Sequence, residues 1–183
     1  MPPSRALVAA IALSRAPSLA AVLRAQALPD GVELLLRVLA GDPDASQKAR
    51  AMTGLREAEL IAAAELYVLQ VMLYQGASSR RILGVPPDAD RAVTRAHLRL
   101  LLNWLHPDKN SSPWHATFAS RVIAAWRQID RGVEDEQPRG WLAHRVPWIA
   151  SPLKATHERS LRRKGLRVFL AGVALIWGRH GAR

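Results

Sequence analysis

Apolar residues along this chain recur mostly at intervals of three and four, the spacing of one helix face, and clusters of glycine, proline and aspartate interrupt them. The run Ala6–Leu13 reads as an N-terminal helix. A second helix is expected over Pro17–Arg24, with Pro17 near its first position, until Leu28-Pro29-Asp30-Gly31 breaks it. Val32–Leu39 places Leu35, Leu36 and Leu39 on one face, and Gly41-Asp42-Pro43-Asp44 ends it. A short helix follows over Gln47–Met52. The longest runs from Glu57 through Gln70 to Tyr74, with Leu60, Ile61, Ala64, Val68 and Met72 at helical spacing.

The pattern restarts after Gln75-Gly76-Ala77. Ser78 and Ser79 suit the N-cap of a short helix to Leu83, and Gly84 suits a left-handed end. Val85–Asp90 is a turn with an acidic cap for a helix over Arg91–Leu105. That helix carries Leu98, Leu101, Leu102 and Leu105 on one stripe, and Arg91, Arg95 and Arg99 on another. His106-Pro107 stops it, because a residue before proline resists the helical region. Pro113 opens the next helix, whose buried face is expected from Phe118, Val122, Ala125, Trp126 and Ile129. Beyond Arg131 the period fades into the acidic Glu134-Asp135-Glu136, and a closing helix is expected within Glu158–Trp177. The expected fold is all-α, in three segments. Residues 1–77 form a helical bundle of unassigned role, residues 78–131 a helical hairpin, and residues 132–183 a linker and basic tail.

Composition sharpens this picture. With 183 residues the chain can bury a core without staples, and it has no cysteine, which excludes disulfides, thiolate metal sites and cysteine nucleophiles. That fits a reducing compartment, so the expected location is the cytoplasm, with a peripheral place at the inner face of a membrane as the tail's alternative. The formal net charge is +11, carried unevenly: residues 137–183 hold ten cations and one anion, whereas residues 1–77 hold seven of each. The N-terminal apolar run is short for a secretory signal and lacks a clean small-residue cleavage site; its arginine-bearing, acid-free start also resembles a mitochondrial presequence, and the plainer reading is an N-terminal helix. The apolar run Val168–Trp177 covers ten residues, half of what a membrane span requires.

Arg81-Ile82-Leu83-Gly84-Val85, a long basic helix, and then His106-Pro107-Asp108-Lys109-Asn110 together resemble the J-domain of DnaJ-type co-chaperones. The resemblance covers residues 78–130 and includes a helix ending in Ala125-Trp126, where the family usually has Ala-Tyr. Arg80 and Arg81 stand where the family commonly has an aromatic pair, and the glycine/phenylalanine linker and zinc modules of full DnaJ proteins have no counterpart, so the likeness is to the divergent third class. It implies docking on a seventy-kilodalton heat-shock chaperone of the DnaK type and stimulation of its ATP hydrolysis. His106, Pro107, Asp108 and Lys109 would form the docking loop, and Arg91, Arg95 and Arg99 the basic helix face. The residue types suit that task independently. Pro107 stiffens a loop, Asp108 offers a carboxylate for a charge-assisted bond, and arginines one turn apart suit an acidic protein face.

No nucleophile–base pair, phosphate-binding glycine loop or ligand set appears, so neither enzyme activity nor a cofactor, metal or small-molecule substrate is expected. His97 and His115 are expected at the surface, and Trp104, Trp114 and Trp126 in packing. A rival reading uses the tail: its cations with Trp141, Trp148 and Trp177 suit an anionic membrane or nucleic acid.

Overall fold

Helix ends in this chain are set by local chemistry. In the computed structural model, which describes residues 3–108 and 113–132, α1 (Arg5–Arg15) starts where the Ser4 hydroxyl accepts from the Leu7 amide. Pro17–Leu19 forms a single tight 3-10 turn before α2 (Ala20–Ala25). α3 (Val32–Ala40) closes at Gly41 in the left-handed region, and Asp42 at once caps α4 (Pro43–Thr53), accepting from the amides of Asp44 and Ala45 at 3.0 and 3.1 Å. The turn that ends one helix therefore starts the next, and α4 begins four residues before the hydrophobic pattern indicates. α5 (Glu57–Tyr67) follows, then α6 (Ser79–Leu83), α7 (Arg91–Trp104) and α8 (Pro113–Asp130). The caps expected at Ser78 and Asp90 are formed, with Asp90 accepting from the Val93 amide at 2.7 Å. The fold is all-α, with no strand among the described residues. The chain divides into two compact units, Met1–Arg139 and Gly140–Arg183, and the second lies outside the described residues, as does the helix expected there.

α3 is the pivot of the first unit. It packs on α1, α4 and α5 on one side and on α7 on the other, so Val32, Leu35, Leu36, Val38, Leu39 and Ala40 are all buried. α5 lies against α1, α3 and α4, which is why its apolar residues do not confine themselves to one face. The Tyr67 side chain is fully enclosed, and burial pushes its hydroxyl up to about 12 against the opposing pull of Arg81.

α5 does not continue regularly to Tyr74. It widens over Val68–Met72 into a π turn, which shifts the carbonyl ladder and leaves acceptors to be satisfied from elsewhere. Three arginines meet them. Arg24 Nε donates to the Gln70 carbonyl at 2.6 Å and its Nη2 to the Gln70 side chain at 2.7 Å. Arg81 donates to the carbonyls of Val71 and Gln26. Arg121, on α8, donates to those of Leu73 and Tyr74 at 2.7 and 3.0 Å. Guanidinium groups at a helix C-terminus also face the negative end of its dipole. Arg81 thus has a structural task at a position where the resembled family commonly has an aromatic residue.

Two histidines are buried, against the surface positions expected for them. His97 is 5% exposed, and its ring Nδ1 lies 3.0 Å from the Leu83 carbonyl at the end of α6, which makes Nδ1 the protonated nitrogen of a neutral ring. His115 is enclosed between two tryptophans: it stacks on Trp114 at 3.6 Å and meets Trp104 edge-on at 6.0 Å. The apolar stripe of α7 is correspondingly rotated. Thr94, His97, Leu101, Trp104 and Leu105 are buried, while Leu98 and Leu102 are half-buried.

Candidate functional site

α7 and α8 run antiparallel, as their paired residues show. Trp104 near the end of α7 meets Trp114 at the start of α8, with ring centroids 6.3 Å apart, whereas Arg91 at the start of α7 pairs with Asp130 at the end of α8 at 2.6 Å. One turn inward, the Arg95 guanidinium lies 5.8 Å from the Trp126 ring centre, so stepping a turn along one helix steps a turn back along the other. Trp104, Trp114, His115 and Phe118 form an aromatic cluster at the end of the pair, and Leu105, immediately before the loop, is buried. The chain therefore enters the loop from a fixed base.

From that base His106, Pro107 and Asp108 project into solvent. The Asp108 amide donates to His106 Nδ1 at 3.3 Å, which ties the first turn of the loop back on itself. The Asp108 carboxylate, 85% exposed, lies 3.6 Å from the same nitrogen, too far for a hydrogen bond. It is a charge held at a tip with its acceptor sites open to solvent. Lys109, the fourth residue expected in the loop, lies outside the described residues.

The arginines expected on one stripe of α7 are all exposed, and they differ in their surroundings. Arg91 is committed to Asp130. Arg95 lies over Trp126, and neither Arg95 nor Arg99 has a carboxylate within ion-pair distance among the described residues. One turn beyond Arg99, Asn103 Nδ2 donates to the Ala40 carbonyl at 3.1 Å, joining the last turn before the loop to the end of α3. Sequence reasoning missed Asn103, Trp126 and Asp130 as neighbours of the loop and stripe. The Trp126 and Asp130 positions follow once α7 and α8 are aligned antiparallel from their loop end, but the Asn103 contact has no local signal.

No group of three histidine, aspartate, glutamate or cysteine residues among the described residues is arranged to hold a metal ion. No described helix is long and apolar enough to cross a membrane. Comparison with family models, curated proteins and solved structures gives no match.

Proposed function

We propose that this chain is a J-domain co-chaperone that docks on a DnaK-type heat-shock chaperone and stimulates its ATP hydrolysis. The observation that carries the reading is the Asp108 carboxylate, exposed at the tip of an antiparallel helix pair whose base is packed by Trp104, Trp114 and His115. A negative charge held next to Pro107, whose ring fixes the backbone before it, suits a charge-assisted bond to a guanidinium on a partner. Arg95 and Arg99, on the adjacent helix, add cations for an acidic face of that partner. Hydrolysis would occur in the partner. This chain would act by binding one state of it better than another, which is the only way a ligand shifts an equilibrium.

The test is steady-state ATP turnover by the chaperone with and without this protein. Wild type is expected to stimulate, and Asp108→Asn to lose stimulation while its helical content stays native. A charge-assisted bond contributes about 1.5–3 kcal/mol, so the variant should be weaker by about ten- to a hundredfold. Normal stimulation by Asp108→Asn would remove the loop from the mechanism. The excess of ten cations over one anion in residues 137–183 favours a second, compatible contact with an anionic membrane surface or nucleic acid. Its signature would be binding to vesicles or oligonucleotides that survives Asp108→Asn and weakens steeply with salt.

A further inference from the structure

Trp126 lies half-buried on α8 with two guanidinium groups beside its ring, Arg95 at 5.8 Å and Arg91 at 6.0 Å. The two cations are not equivalent. Arg91 has Asp130 Oδ1 at 2.6 Å, so its charge is neutralised within the molecule. Among the described residues, Arg95 has the aromatic ring and no carboxylate within ion-pair distance. A ring face attracts a guanidinium without cancelling its charge or consuming its donors. It therefore restrains a long, rotamer-rich side chain while leaving the group competent to bind an anion. Arg99 stands one turn further towards the loop, exposed and without a carboxylate in reach among the described residues.

We propose that Trp126 is a positioning residue that presents Arg95 to an acidic protein surface, that Arg95 and Arg99 are the docking cations of α7, and that Arg91 belongs to the α7–α8 clasp. The partner's identity rests on the co-chaperone reading; the division among the three arginines rests on the geometry of this chain. The surface combines tryptophan and arginine, the residue types most enriched where interfaces concentrate their binding energy. Restraining Arg95 before the encounter lowers the ordering cost of the complex, so the gain appears in docking rather than in fold stability.

Two measurements test this. In the free protein, the ring current of Trp126 should shift the side-chain protons of Arg95 upfield, and Trp126→Leu should abolish the shift. In stopped-flow association with a DnaK-type chaperone at low salt, Arg95→Ala should slow docking and flatten its salt dependence. Trp126→Leu should slow docking about two- to fivefold, the value of an exposed cation–π contact. It should have no further effect once Arg95 is alanine. Trp126→Phe, which keeps a ring, should restore part of the rate and guards against a folding defect in the leucine variant. Arg91→Ala should slow docking less than Arg95→Ala does. An equal effect of Trp126→Leu with and without Arg95, or an Arg91→Ala defect matching that of Arg95→Ala, would overturn the proposal alone. A wild-type protein that neither docks nor stimulates would overturn the co-chaperone reading and the proposal with it.

Discussion

His97 carries the clearest pH dependence in the described chain. Its ring is buried against α6, and burial holds its pKa below the ordinary 6.5, an effect that the Leu83 carbonyl and Glu33 only partly offset. The unfolded chain therefore takes up this proton first as pH falls. The contribution is fully present above about pH 6.5 and is lost as pH falls from there through the lower folded value. Glu65 acts in the opposite sense. Burial raises its pKa above 4.5, so its contribution is full below that pH and is lost as pH rises through the folded value. Total stability mixes the two, and a variant separates them. His97→Gln, which keeps an N–H donor for Leu83, should flatten the decline in melting temperature below pH 6.5 relative to wild type. A variant whose decline parallels that of wild type would show that His97 does not titrate across unfolding. The burial of His97 was not legible in the sequence, because a histidine on a helix bearing four leucines carries no sign of which neighbour supplies its acceptor.

Several elements begin or end where their sequences say, and the reason is that caps are local. Ser78, Asp90, Gly84 and Pro113 each act within a few residues of their own position, so each could be read before any packing was known. The π turn at the end of α5 was illegible for the converse reason: its carbonyls are met by Arg24, Arg81 and Arg121, on three other helices. Two glycines separate local from distant constraint. Gly41 and Gly84 both hold positive φ, +85° and +70°, yet a Cβ on Gly41 would meet nothing within 4 Å while one on Gly84 would come 2.7 Å from Met72 Cε and 2.8 Å from Val32 Cγ1. Alanine at either position pays the left-handed penalty of about 1–2 kcal/mol. At Gly84 it adds an overpacking cost of about 1–3 kcal/mol, because Val32 is stiff and already buried on α3. Denaturant titration should therefore place Gly84→Ala well below Gly41→Ala. Equal losses would mean that α3 moves freely against the α6–α7 turn.

At the scale of the molecule, the segment boundary read near residue 77 separates stretches of sequence that share one core. Val32 and Met72 lie against Gly84, α3 covers one side of α7, and the Ala40 carbonyl accepts from Asn103. Arg81 and Arg121 donate to carbonyls of Gln26, Val71, Leu73 and Tyr74, all in the first 77 residues. Removing residues 1–77 would expose the apolar faces of α6 and α7 and strip both guanidinium groups of their acceptors. A chain of residues 78–183 should therefore melt without a cooperative transition and lose most helical signal, while the full chain melts in one step over the described unit. The sequence shows a pause in the hydrophobic pattern at Gln75-Gly76-Ala77 and nothing about what crosses it, because contacts between residues tens of positions apart leave no periodic trace. If the 78–183 chain instead melts cooperatively and stimulates a DnaK-type chaperone as the full chain does, residues 1–77 are an appendage. If it fails to fold, they are part of the core against which α7 is held.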